Sequence, residues 1–164
     1  LLNYNIYIYI YILTYYIKLL NMEEDMNIAI IDGQGAGIGQ TVIKKIRKIL
    51  GTHINIIALG TNIAATNNMI KAGADCGITG KEDICFFLKT NKVHCLIGPI
   101  GIICNGGING EIDFNISKII FEMHCTKYLI PLQKHGIYIP GTRNLQIKEF
   151  IEEIIYDIKN EVLG

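Results

Sequence analysis

Residues 27–40, NIAIIDGQGAGIGQ, pass from an almost unbroken apolar run into a turn with glycine at positions 33, 35, 37 and 39. A short apolar run bounded by glycine fits a strand buried on both faces, as in parallel sheets covered by helices. Bare backbone straight after such a strand has two physical uses. Either the turn packs closely against its neighbours, or a ligand approaches its N–H groups.

The strand-then-helix pattern repeats down the chain. QTVIKKIRKIL (40–50) sets apolar residues 42, 43, 46, 49 and 50 on one helical face, and Gly51 is a stop. INIIALG (54–60) reads as a second buried strand, NIAATNNMIKAGA (62–74) as a helix, CGITG (76–80) as a short third strand and KEDICFFLKTN (81–91) as a short helix. VHCLIGPIGII (93–103) holds the next strand, which Pro99 ends or disturbs. A helix within 107–125 turns Ile116, Ile119, Ile120 and Met123 inward. KYLIPLQ (127–133) and GIYIPG (136–141) read as two further strands. Residues 145–163 close the chain with an apolar stripe at 147, 150, 151, 154, 155, 158 and 162. Strands alternating with helices require βαβ crossovers. The predicted fold is therefore α/β: a single Rossmann-like, doubly wound, mostly parallel sheet with helices on both faces. At 164 residues, half of them hydrophobic, the chain is long enough for one core.

The first residues have a different character. LLNYNIYIYIYILTYYIKLL holds six of the nine tyrosines and a single charge, Lys18, and Ile and Tyr alternate strictly from Ile6 to Ile12. That period of two does not suit a membrane helix, and the basic start and small-residue cleavage site of a signal peptide are absent. An in-frame TATATA repeat would encode the same alternation. The expectation is a non-native or disordered extension over residues 1–21, with residues 22–164 as a single Rossmann-like domain starting at Met22 or Met26. Translated, the extension would be a β segment without a partner.

Composition narrows the function classes. Fifteen basic residues balance fifteen acidic ones, so there is no global basic footprint for nucleic acid. Five cysteines at 76, 85, 95, 104 and 125 form no CxxC pair, which points to reduced, mostly buried thiols in a cytoplasmic protein. No metal site is expected, because His94-Cys95 and His124-Cys125 are adjacent pairs whose side chains face opposite ways on a strand. Serine hydrolysis is disfavoured, since Ser117 is the only serine and lies in a helical apolar pattern.

In a doubly wound sheet, ligands bind beyond the carboxyl ends of the strands, where the strand order reverses. A helix starting near Gly39 would aim free N–H groups and its positive dipole end into that crevice. The expected nucleotide-binding set is Gly33, Gln34, Gly35, Ala36, Gly37, Ile38 and Gly39, with Thr61 and Asn62 at the end of the second strand. The strict GxGxxG dinucleotide pattern does not fit. The spacing Gly33-x3-Gly37-Ile38-Gly39 instead resembles the GxxxGxG turn of the short-chain dehydrogenases. That resemblance stops at the turn, because Tyr128, Tyr138 and Tyr156 are followed four positions later by Leu132, Thr142 and Asn160, leaving no YxxxK pair. The acid that holds a ribose about 20 residues past the glycines is replaced by Gly60-Thr61-Asn62. This weighs against NAD and leaves NADP or another nucleotide. Asp32 either contacts a ribose or caps the turn. Asn105 and Glu111 are further polar candidates, and His135 beside Lys134 is the best acid–base candidate, with no catalytic residue assigned. The expected partner is a small nucleotide-like molecule, with no nucleic acid and no membrane, and an oligomer is compatible. The alternatives are a ligand-sensing or adaptor protein without turnover, or a structural subunit that binds no nucleotide.

The segments IAIIDGQGAGIG, IIALGTNIAATNNMIKAGAD, GITG, LIGPIGII and LIPL resemble, in order and approximate spacing, a small bacterial family described as a domain of unknown function. The resemblance covers residues 26–160. It implies a Rossmann-like single domain and brings no activity, substrate or catalytic residue. CNGGING (104–110) carries more Gly and Asn than the family pattern leads one to expect, which bears on where the following helix starts.

Overall fold

The computed structural model describes residues 6–13, 26–132 and 136–163, with side chains to residue 160. Strand β1 is Met26–Asp32, followed by helix α1 (Gly37–Leu50), β2 (Ile54–Gly60), α2 (Ile63–Lys71), β3 (Cys76–Thr79), α3 (Lys81–Thr90) and β4 (Cys95–Pro99). A 3-10 turn over Ile100–Ile103 leads to α4 (Phe114–Glu122), β5 (Thr126–Ile130) and α5 (Ile147–Leu163). The strands form one sheet of order β3-β2-β1-β4-β5, every pairing parallel. The order reverses at β1, so a crevice opens between the carboxyl ends of β1 and β4. The α/β, Rossmann-like expectation holds.

Both faces of the sheet are covered, and the strands show it by alternation. Ile28 and Ile30 of β1 join Ile56 and Ala58 of β2 in a core with Val42, Ile43 and Ile46 of α1, Met69 of α2 and Ile151, Ile155 and Ile158 of α5. Ala29 and Ile31 point the other way, with Ile57, Leu59, Ile84, Leu88, Ile116 and Ile120. Successive side chains point to opposite faces, so a strand buried on both sides must be apolar throughout. Each buried Val, Leu, Ile or Met among them contributes about 1.5–3 kcal/mol over leaving it in water.

Arg47 holds the far end of the sheet. Its guanidinium donates to the carbonyls of Gly73 at 2.7 Å and Ile54 at 2.7 Å and pairs with Asp75. Asp75 in turn accepts the Ile56 N–H at 2.7 Å. This ties α1 to the start of β2.

Three expectations are corrected. GIYIPG is not a strand: residues 137–139 have no sheet pairing. Gly136 and Gly141 adopt φ of 71° and 88°, and Pro140 has no N–H to give a ladder. The helix expected within 107–125 is present as Phe114–Glu122, after residues 104–112 wound into successive turns. The thiols are mostly not buried: Cys95 is buried, while Cys76 lies exposed on the short edge strand β3. Residues 6–13 are helical, not extended, with their side chains exposed. A strand without a neighbour cannot pair its backbone, whereas a helix pairs its own. No helix among the described residues is long and apolar enough to cross a membrane.

Candidate functional site

The glycine turn sits at the carboxyl end of β1, and its four glycines divide by what surrounds them. A side chain at Gly33 would press into Glu111, Thr61 and Ile108. One at Gly39 would meet the Met69 sulfur at 2.6 Å and the Asp32 Cβ at 3.2 Å. Those two glycines are required by packing. Gly35 and Gly37 have nothing within 4 Å of where a Cβ would lie. The turn therefore combines two tightly packed glycines with two that face open space.

Asp32 organises the start of α1. It is only 6% exposed, and its carboxylate accepts the N–H groups of Gly33 and Gly39, each at 2.8 Å, and that of Ile38. Burial pushes its pKa above the ordinary aspartate value; the three N–H bonds oppose the shift and the Glu111 charge adds to it. Capping, the plainer of its two expected roles, is what the geometry gives. The Ala36 N–H donates to Gly33 at 2.8 Å, and the Gln34 N–H to Glu111 at 3.0 Å. The N–H groups of Gly35 and Gly37 have no partner among the described residues. Gln34 and Ala36 hold φ of 48° and 52°, a left-handed conformation that costs a non-glycine residue free energy and concentrates at functional sites.

Glu111, from the loop that follows β4, fastens this turn directly. Besides the Gln34 N–H it accepts the Thr61 hydroxyl and the Asn62 amide, the latter at 3.1 Å. Burial alone would raise its pKa, but the bonds from Thr61, Gln34 and Asn62, with the nearby Lys81 charge, outweigh it and the net shift is downward. Asn62 also caps α2, accepting the Ala65 N–H at 2.8 Å, and donates to the Gln34 carbonyl at 3.2 Å. Thr61 and Asn62 thus support the turn and are not among the residues lining the crevice.

The crevice has a volume of about 590 Å³. One wall is Asp32 through Ile38 with Thr41, and the opposite wall is Pro99 to Gly101 with Cys104 to Asn109. Leu132, Ile137 and Ile147 close its apolar side. Gly33, Gln34, Gly35, Ala36, Gly37 and Ile38 all line it; Gly39 packs beneath. The facing loop is also strained, with φ of 50° at Ile108 and 54° at Asn109, and it stays compact because Gly107 lies against the Gly101 carbonyl too closely for any side chain. Asn105 lines the crevice as expected, while Glu111 does not. Lys134 and His135 lie outside the described residues. Among the described residues there is no group of three or more His, Cys, Asp or Glu able to hold a metal. His94 accepts the Asn27 N–H through Nδ1 at 3.0 Å.

No curated protein matches the chain. A solved structure, the dodecameric FMN-dependent Ubix-like decarboxylase from Escherichia coli O157:H7, is similar at 10% identity over 82% of this chain and 92% of that one, with a TM-score of 0.46. Residues 27–163 match the family described as "Domain of unknown function (DUF3842)". The chain, matched over most of its length, belongs to that family.

Proposed function

We propose that the crevice binds a small nucleotide, NADP or another phosphate-bearing one, with a phosphate against the N–H groups of Gly35 and Gly37. The observation that carries this reading is that both residues combine an N–H with no partner among the described residues and open space where a Cβ would lie, on the wall of the crevice. Helix N-termini with free N–H groups attract anions, and the crevice lies where the strand order reverses. The apolar side, Leu132, Ile137 and Ile147, suits a base. A diphosphate spread over the whole helix start is disfavoured, because Asp32 already takes the Ile38 and Gly39 N–H groups.

Binding without turnover is the form of this function that the lining favours. The titratable side chains among the described lining residues are Asp32 and Cys104, and both Asp32 oxygens are engaged by backbone. General acid–base chemistry needs a group free to reach the substrate. A thermal-shift panel of NAD, NADP, FAD, ATP, GTP and coenzyme A tests the reading. At 100 times its dissociation constant, a true ligand stabilises by about 2.7 kcal/mol, several degrees in Tm for a chain of this size. A panel with no shift at all contradicts it.

A further inference from the structure

Thr41 belongs to two concavities. It lines the crevice, and it also lines a groove of about 250 Å³ whose other walls are Lys44, Lys45, Lys48, Lys148 and Ile151. The start of α5 runs the same way, with Ile147 in the crevice and Lys148 in the groove. The groove is therefore an extension of the crevice down the outer face of α1.

Its charge exceeds what the fold explains. Lys45 pairs with Glu152 at 3.0 Å and Lys148 lies 3.9 Å from the same carboxylate. Lys44 and Lys48 have no acidic partner among the described residues, and at i, i+4 they repel each other. Lys48 lies in the last turn of α1, where it complements the helix dipole. Lys44 lies mid-helix, where that effect has decayed. One carboxylate against four ammonium groups leaves a positive groove in a chain that is neutral as a whole.

We propose that this groove is an anion subsite of the crevice, and that the ligand is a nucleotide with phosphate beyond the one held at Gly35 and Gly37. The inference rests on the nucleotide reading above. Gly37 and Lys44 are separated by about 10 Å of helix rise. Side chains on a helix lean back toward its N-terminus, which brings the Lys44 ammonium to about one turn, 5 Å, from the first phosphate position. That gap suits a phosphate chain continuing past Thr41.

The test is calorimetric titration of the full chain with AMP and ATP at low salt in EDTA, so that no metal masks the added charge. Lys44→Ala/Lys48→Ala is measured in parallel. Both substitutions are on an exposed face and favour helix, so the fold is retained. ATP is expected to bind about tenfold tighter than AMP, and the double variant is expected to lose that advantage while binding AMP unchanged. Equal affinity for AMP and ATP in the unaltered protein, or an advantage that survives in the double variant, overturns the subsite and leaves the crevice reading standing. If neither AMP nor ATP binds, the subsite is overturned, while the crevice reading stands or falls by the thermal-shift panel.

Discussion

The Asp32 carboxylate accepts the Gly39 N–H at 2.8 Å across a turn of seven residues. This single bond decides how the helix start can be used. With Ile38 and Gly33 held by the same side chain, α1 carries its own internal anion. The N–H groups left for a ligand are those of Gly35 and Gly37, at the rim of the crevice.

The division of the glycines gives opposite outcomes for the same substitution. Gly39→Ala forces a methyl group against Met69, which is fully buried, and is expected to cost about 1–3 kcal/mol. Gly37→Ala enters open space at the first turn of a helix and is expected to be neutral or stabilising by a few tenths of a kcal/mol, within about 0.5. Urea unfolding of the two variants checks this, and equal penalties would contradict it.

Glu111 gives a pH-dependent penalty. Its folded pKa is lowered, so its stabilisation is present above the ordinary glutamate value, about 4.3, and is lost as pH falls through the lowered one. Glu111→Gln removes an acceptor shared by three donors and is expected to cost about 1–2 kcal/mol at neutral pH. Unfolding measured from pH 7 down to about pH 3 should show that penalty holding to about pH 4.3 and shrinking below it.

Asp32 has the opposite sign. Its folded pKa is raised, so its favourable contribution is complete below the ordinary aspartate value, about 3.9, and declines as pH rises through the raised one. The destabilisation caused by Asp32→Asn is therefore expected to be larger near pH 4 than at pH 7. A penalty that grows with pH would show that folding lowers the Asp32 pKa instead of raising it.

Removal of residues 1–21 is expected to leave Tm unchanged. The described residues 6–13 are exposed along their length, and the family match begins at residue 27. Differential scanning calorimetry of a chain starting at Met22 checks it, and a lowered Tm would assign the extension a role in stability.

Strands β1 and β2 were readable in the sequence because residues 28–31 and 56–59 are apolar on both faces. The stripes of α1 and α5 were readable for the same reason, since Ile43, Ile46, Ile151 and Ile158 recur at helical spacing. GIYIPG misled because alternation describes side chains, while pairing needs a partner strand and backbone donors. The glycine turn was readable as a turn, but its sorting into packed and open positions was not. That sorting depends on Glu111, Ile108 and Met69, which reach it from distant parts of the chain. The lysine groove was hidden too: Lys44 and Lys48 look like an ordinary solvated face until Lys148 is brought beside them.

Titration of Gly37→Glu with the nucleotide that most stabilises the unaltered protein tests the nucleotide site most directly. A Cβ at position 37 meets nothing within 4 Å and lies on the open crevice, so the variant is expected to fold with a Tm close to that of the parent. Its carboxylate would stand where the phosphate is held, and binding is expected to be lost. A folded Gly37→Glu variant that binds the nucleotide with unchanged affinity would contradict the assignment and place the ligand elsewhere.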